Sequence, residues 1–513
     1  MNKPAYLKVS GTLMHTIPDF WFEPRIWLDG QWHATGESFG VFNPATGERL
    51  ADAARADAAT TRRAIEGAGS TLRQWREVPA ARRGEVLKRT AALLLERKDP
   101  FARLLSAEQG KPYAQAVGEV EYAASFFQWF GEEARRVCGR IAPHPAPDRE
   151  FFIEQKPVGV AGLITPWNFP LAQGAKKLAA ALAAGCTAVW KPAELTPLVA
   201  LAMAPVLAEA GLPPGALQII PGPGSVVGSA LADHPAVRVL SLTGSSATGS
   251  ALMSRAAAGM KRLALELGGN APFLVLPDAD LDFVSEELVR LKLLCSGQVC
   301  VTANRVFVHA DVEAALVEKL AGRLAAAKVG NGLLDGIDAG PLIHRRACEE
   351  VGKLVAQARA AGAQVVCENR SFEDDASLAE GSFFPLTLLT GVRDDMAVAR
   401  EEVFGPVISL LTYTSLPDAV RRANETPYGL AAYVYGRELA MCRAVAQRLE
   451  AGIVGVNEWR PLKAEIPFGG VKMSGLGAEG GAEGIREFLD IQVISMPKPA
   501  LGNYGRRNLQ MPP

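Results

Sequence analysis

The amino-acid sequence predicts an α/β protein built around a parallel sheet, and three observations carry that reading. Between residues 151 and 265, short β-branched or apolar runs alternate with helical stretches. A second alternating block runs from about Leu267 to Gly480. The turns that follow the strands of the first block are rich in Gly and Pro. Strand–helix alternation at this spacing requires right-handed crossovers, which lay the strands parallel.

Taken in order, residues 59 to 137 read as helices. One of them places Leu87, Ala91, Leu94 and Leu95 opposite Arg and Glu, with Pro100 breaking the pattern; another runs from about Ala114 to Val137. Residues 138 to 157 alternate like a hairpin, ending in Phe151-Phe152-Ile153-Glu154-Gln155. The tail strand Leu489–Ile494 is able to pair with it, and exposed strand edges of this sort seek partners. Strands are expected at Val160–Thr165, Thr187–Trp190, Leu217–Ile220, Val237–Leu242 and Arg262–Leu265. The helices between them are Leu171–Ala184, Pro197–Ala210, Ser225–Ala232 and Ser246–Ala257. A further strand is expected at Arg305–His309, and Ser371–Gly381 and Asn503–Pro513 read as loop and tail. There is no internal repeat.

Composition narrows the function classes. A chain of 513 residues is too long for one simple core and implies two or three domains. A formal charge of −1, from 54 Lys+Arg against 55 Asp+Glu, argues against a nucleic-acid binder or a polybasic membrane-surface protein. The mostly apolar run Leu178–Trp190 would span only about 20 Å as a helix, short of a bilayer core, and reads better as a buried helix ending near Gly185 and then a strand. Met1 to Trp21 lacks the apolar stretch of a signal peptide. Seven cysteines are too few, and odd in number, for a disulfide scaffold, so a reducing, cytoplasmic setting is expected. Six scattered histidines, with no H-E-x-x-H and no paired C-x-x-C, predict no metal.

Chemistry concentrates just past the strands. In chain order these turns are Pro166-Trp167-Asn168-Phe169-Pro170, Lys191-Pro192-Ala193-Glu194, Pro221-Gly222-Pro223-Gly224, Thr243–Gly249 and Glu266-Leu267-Gly268-Gly269-Asn270. In a parallel sheet all five lie on the carboxyl edge, where open α/β sheets bind ligands. Glycines there let N–H groups and helix N-termini approach a phosphate, and Lys191 with Glu194 suits a ribose. Any one such turn is equally a plain loop. Gly222, Gly224 and Gly228 give G-x-G-x-x-x-G, one residue longer than the usual dinucleotide spacing, and no P-loop occurs. Gly297-Gln298-Val299-Cys300 sets Cys300 between a glycine turn and a strand. There it is either a nucleophile served by nearby amides or a small buried side chain. Cys295 is the weaker candidate, and Cys186 and Cys442 read as structural.

Together, Asn168 in Pro-Trp-Asn-Phe-Pro, Glu266 in Glu-Leu-Gly-Gly, Cys300 in Gly-Gln-x-Cys and Glu402-Val403-Phe404-Gly405-Pro406 resemble the aldehyde dehydrogenase superfamily, from about Trp27 to Ile494. Pro467–Lys472 and Ser474-Gly475-Leu476-Gly477 add to the likeness. Glu108-Gln109-Gly110-Lys111-Pro112 and Gly297–Asn304 are most similar to the succinate-semialdehyde dehydrogenase branch. The resemblance implies a Rossmann-like NAD(P)-binding domain (22–137 and 158–266), an α/β catalytic domain (267–483) and a small β oligomerisation arm (138–157 and 484–500). It implies a homodimer or homotetramer and a small-molecule aldehyde as substrate.

By the same resemblance Cys300 attacks the aldehyde, Asn168 and the Cys300 N–H hold the oxyanion, and Glu266 activates water against the resulting thioester. Lys191 and Glu194 contact the adenosine ribose, Trp167 and Ser245 the pyrophosphate, and Gly224 and Gly228 the adenosine half. Glu402 and Phe404 hold the nicotinamide ribose and ring, with Thr165 and Leu267 also at the cofactor. Glu194 favours NAD over NADP by repelling a 2′-phosphate, unless it merely sits exposed at a helix start, where NADP is also accepted.

In the succinate-semialdehyde branch, arginines hold the substrate carboxylate at positions that are Lys176 and Leu294 here; Lys176 keeps the charge without the fork. Two substrate readings follow. A short acidic semialdehyde is bound by Lys176 with Arg460, or a larger apolar or aromatic aldehyde packs on Leu294, Trp459 and Phe468. Thr302 stands where some members carry a second, redox-switch cysteine, so no switch is expected. A cofactor-free cysteine acyltransferase leaves the strand-end sites without purpose, and a non-catalytic binding protein leaves Cys300, Glu266 and Asn168 without one.

Overall fold

The computed structural model describes residues 21–498. The Met1–Phe20 stretch, the tail 503–513 and the last two residues of the expected arm lie outside them. Five parallel strands form the heart of the first sheet: Val160–Ile164, Thr187–Lys191, Leu217–Ile219, Val237–Thr243 and Arg262–Glu266. The first two are buried at every residue because helices cover both faces of the sheet. The sheet is mixed rather than wholly parallel. The Ile26–Leu28/Gln31–His33 hairpin closes one edge through Trp27 opposite Ile219, and Gly475–Leu476 closes the other antiparallel to Leu265–Glu266.

The spatial order of the five runs third, second, first, fourth, fifth. The winding therefore reverses between Val160–Ile164 and Val237–Thr243. Ile164 pairs with Lys191 and Thr243 with Glu266, which brings the carboxyl ends to one edge. A reversal of this kind opens the crevice in which such sheets take ligands.

The second sheet runs Gln364–Asn369, Leu386–Thr390, Val407–Tyr413, Ala303–His309, Ala271–Val275, Ala431–Tyr435, Ile453–Val456. Its first pair is antiparallel and the rest parallel. The chain passes between the sheets in four residues, Leu267–Asn270. The hairpin strands Arg140–Pro143 and Arg149–Pro157 form a third sheet with Leu489–Pro497, registered from Leu489 opposite Pro157 to Pro497 opposite Arg149.

Local differences have local causes. Pro100 sits in the first turn of the helix Lys98–Gln109, where its missing N–H is harmless; the preceding helix ends at Glu96, and its Leu95 is half exposed. The expected helix Ser225–Ala232 is a π-helical turn, Gly224–Gly228, running into Ser229–Asp233. The loop Ser371–Gly381 contains two short 3₁₀ turns. No helix among the described residues is long and apolar enough to cross a membrane.

Candidate active site

Three loops bring the candidate chemistry together where the sheets meet. Asn168 follows the strand Val160–Ile164 and precedes the helix Pro170–Ala184. Glu266 ends the last parallel strand, and Cys300 precedes the strand Ala303–His309. Gly269 is the contact between two of these loops: a Cβ there would lie 2.2 Å from the Cys300 carbonyl oxygen, so only glycine fits. Gly297, at φ +76°, likewise packs against the Gly405 carbonyl. All seven cysteines are free thiols, and Cys300 is partly exposed in a pocket while Cys295 is buried against Gln109.

The Asn168 side chain is held at both ends. Its Nδ2 donates to the Gln298 carbonyl at 2.8 Å, and its Oδ1 accepts from the Phe169 N–H at 3.1 Å, which leaves one amide hydrogen for another acceptor. Burial, with Glu402 and Glu266 nearby and Lys176 opposing them, pushes the Cys300 thiol up to about 12. A pKa raised in this way favours the thiol, so attack by the sulfur requires transfer of its proton to an acceptor.

Glu266 is buried, and neither carboxylate oxygen has a hydrogen-bond partner. Burial and the nearby Glu479 raise its pKa well above the ordinary carboxylate range, against the opposing pull of Lys176 and Lys177. Glu479 itself is ionised: burial is outweighed by Lys177, which bonds it directly, and by Lys176 at 3.0 Å. Lys177 also donates to Thr243 Oγ1 at 2.7 Å. Sequence reasoning found Glu266 and Lys176 but missed Lys177 and Glu479, because these two meet across 302 positions of the chain.

A pocket of about 480 Å³, counted to its open mouth, leads to Cys300. Tyr122, Leu294, Leu462 and Phe468 are among its walls, and Lys176 and Arg460 supply its cations. The Lys176 ammonium stands 3.9 Å from the centroid of the Phe468 ring and is paired with Glu479, so its charge is already met. Arg460 lies over the Tyr122 ring at 5.6 Å, and no carboxylate among the described residues forms an ion pair with it. Trp459 does not line the pocket. It packs against the apolar cluster that joins the second sheet to the pocket walls, and its backbone N–H donates to Glu287. Tyr122, which does line it, carries no motif in the sequence.

The carboxyl edge of the first sheet presents a separate set of groups. Lys191 Nζ pairs with Glu194 at 2.8 Å, and Glu194 also accepts from the Gly224 N–H at 3.0 Å. Ser245 caps the helix Ser246–Ala256 through the Thr248 N–H. Gly228 lies in the π-turn above Ile164. Thr165 Oγ1 accepts from the Trp190 indole at 2.9 Å, and the Leu267 N–H donates to the Ser474 carbonyl. Trp167 and Phe404 meet edge to face at 5.5 Å. Glu402 accepts from the Gly269 N–H at 3.1 Å, and burial lifts its pKa to about 7. This donor set fits a dinucleotide: a carboxylate and an ammonium for ribose hydroxyls, a helix N-terminus for phosphate, and open space beyond Gly224. Among the described residues no group of His, Cys, Asp or Glu is placed to hold a metal.

A doubly wound sheet with a ligand edge, facing a thiol, an amide and a buried carboxylate across a short crossover, defines an oxidoreductase that works through a cysteine. The model of the aldehyde dehydrogenase family matches residues 32–494, and the chain belongs to that family. It is 42% identical over 475 residues to the glutarate-semialdehyde dehydrogenase of Pseudomonas putida (strain KT2440), covering 92% of this chain and 98% of that one. It is 41% identical to the NADP(+) succinate-semialdehyde dehydrogenase of Escherichia coli (strain K12), with the same coverage. The crystal structure of succinate-semialdehyde dehydrogenase from Burkholderia pseudomallei superposes with a TM-score of 0.90 at 43% identity, over 93% of this chain and 98% of that one. The protein is thus an NAD(P)-dependent aldehyde dehydrogenase.

Proposed function

We propose that this enzyme oxidises a short aldehyde carrying a carboxylate at its far end, a four- or five-carbon semialdehyde, with NAD as the preferred acceptor. The observation that carries the substrate class is Arg460. Among the described residues it is the pocket cation without a carboxylate partner, whereas the charge of Lys176 is taken by Glu479. Tyr122, Leu294 and Phe468 would flank the carbon chain. The likeness to enzymes named for glutarate and succinate semialdehydes supports the same class. Glu194, anchored by Lys191 and the Gly224 N–H, favours NAD because a fixed carboxylate repels a 2′-phosphate.

Cys300, once deprotonated, adds to the aldehyde carbon. The free Asn168 amide hydrogen and the Cys300 N–H take the charge that develops on oxygen, and loss of one such donor typically costs about 10²–10³ in rate. The dinucleotide, held by Lys191, Glu194, Ser245, Glu402 and Phe404 with Trp167, Thr165, Gly224, Gly228 and Leu267 around it, supplies the hydride acceptor. Glu266 then removes a proton from the water that opens the Cys300 thioester, a role suited to a carboxylate whose pKa burial has raised. In this reading 22–137 with 158–266 is the NAD(P)-binding domain, 267–483 the catalytic domain, and 138–157 with 484–500 the oligomerisation arm.

The apolar walls support a second reading, an aromatic aldehyde, and one experiment separates the two. NADH formation is followed with glutaric semialdehyde, succinic semialdehyde and benzaldehyde, using the wild type and Arg460→Met. A charged hydrogen bond is worth about 1.5–3 kcal/mol, so kcat/KM for the semialdehydes should fall roughly 10- to 100-fold while that for benzaldehyde holds. A wild type that prefers benzaldehyde, or an Arg460→Met that keeps the semialdehydes, overturns the first reading.

A further inference from the structure

The segment Glu108–Pro112 lies outside the pocket and the ligand edge, yet it reaches the loops of both Asn168 and Cys300. The side chains of Lys111 and Glu119 are 1% and 0% exposed and form an ion pair at 2.5 Å. A buried pair of this kind is costly unless its remaining hydrogen-bonding capacity is met. Here it is met almost entirely by the Asn168 turn. Lys111 Nζ donates to the Asn168 carbonyl at 2.7 Å and stands 4.0 Å from the centroid of the Phe169 ring. The second oxygen of Glu119 accepts from the Leu171 and Ala172 N–H groups at 3.0 and 3.1 Å, in the first turn of the helix that follows.

The same segment reaches the cysteine loop. The Lys111 N–H donates to Gln109 Oε1, and Gln109 Nε2 lies 3.1 Å from the Cys295 sulfur. Cys295, Ser296 and Gly297 all have positive φ, a run of backbone that holds only when its surroundings dictate it. From Gln298 onward this loop supplies the carbonyl that orients the Asn168 amide.

We propose that Lys111, held by Glu119, is a positioning residue that aims the oxyanion-binding amide of Asn168. The pair fixes the backbone that leaves that residue: the ammonium grips its carbonyl, and the carboxylate grips the helix that begins two residues later. The Asn168 side chain, itself tied to Gln298 and Phe169, then has one place to point. This inference rests on the role assigned to Asn168 above. Displacing a catalytic donor by about 1 Å can cost on the order of 10²-fold in rate.

The test is a double-mutant cycle on the full-length enzyme. The single-turnover burst of NADH is measured for the wild type, Lys111→Met/Glu119→Gln, Asn168→Ala and the combination; the paired substitution avoids leaving one charge buried alone. The expected result is a burst about 30- to 100-fold slower in Lys111→Met/Glu119→Gln, an unchanged KM for NAD, and no further slowing in the Asn168→Ala background. An equal fold-loss in both backgrounds, or an unchanged burst, overturns the proposal. If Asn168→Ala leaves the burst intact, the oxyanion assignment itself fails, which is a different outcome. Should the paired variant not fold, Lys111→Arg keeps both charges and alters only the group that donates to the Asn168 carbonyl. It is held to the same criterion: slowing only where Asn168 is present.

Discussion

Glu266 shows how one buried side chain ties catalysis to stability. Its unpartnered carboxyl, raised by burial and by Glu479, stays protonated in the folded chain at a pH where the unfolded chain has ionised it. Folding then retains a proton that unfolding releases, so this residue's contribution is full below the unfolded carboxylate range and is lost as pH rises through the folded value. Glu266→Gln removes that penalty. Its thermal midpoint should exceed the wild type's by a margin that grows from pH 5 to pH 8, read by differential scanning fluorimetry; a constant margin would mean that ionisation of Glu266 is not the cause. The same variant should give one burst of NADH and lose steady turnover if, as proposed, acylation uses Cys300 and Asn168 whereas release of the acid uses Glu266. Sustained turnover would remove Glu266 from the role of base.

At the level of single elements, the helix Pro170–Ala184 carries Asn168 at its entrance and Lys176 and Lys177 along its length, and all fifteen of its residues are buried. Its seat on the sheet depends on Gly174, where a Cβ would lie 2.1 Å from the Trp190 ring. Trp190 has little freedom to yield, since its indole is bonded to Thr165. Gly174→Val should cost about 1–3 kcal/mol in denaturant unfolding and lower kcat as the helix shifts its cargo; unchanged stability would mean the helix floats. This element also shows what the sequence could disclose. Its apolar run and the Gly185 stop, at φ +97°, are local signals, and so are the strand-end turns that carry Asn168 and Glu266. The partners of its lysines are not. Lys177 meets Glu479 302 positions away, and Tyr122 reaches the pocket from another helix. Such pairings depend on how layers stack, which no short window of residues encodes. Trp459 illustrates the converse: an aromatic in a loop near the pocket was free to turn either way, and it packs against the apolar cluster behind the pocket without being one of the pocket's lining residues.

Across the whole molecule, the five parallel strands are shielded on both flanks while the arm is not. The outermost strand of the arm sheet, Leu489–Pro497, pairs on one side with Arg149–Pro157 and has no strand on the other among the described residues. Eight of its nine residues are exposed. Ile491 is 72% and Val493 58% exposed, and alternation sets them on one face, with Ile494 and Met496 on the other. A long apolar edge strand with open backbone groups is the feature that soluble proteins blunt unless another chain covers it. A second copy of this chain answers that requirement, and the wild type should sediment as a dimer or tetramer at micromolar concentration. Ile491→Lys/Val493→Lys places two charges on one face of that strand without touching its pairing to Arg149–Pro157. It should therefore shift sedimentation toward monomer while the burst of NADH per active site persists, since Cys300, Asn168 and Glu266 all come from one chain. A wild type that runs as a monomer would refute the assignment, and so would a variant that keeps the native oligomer.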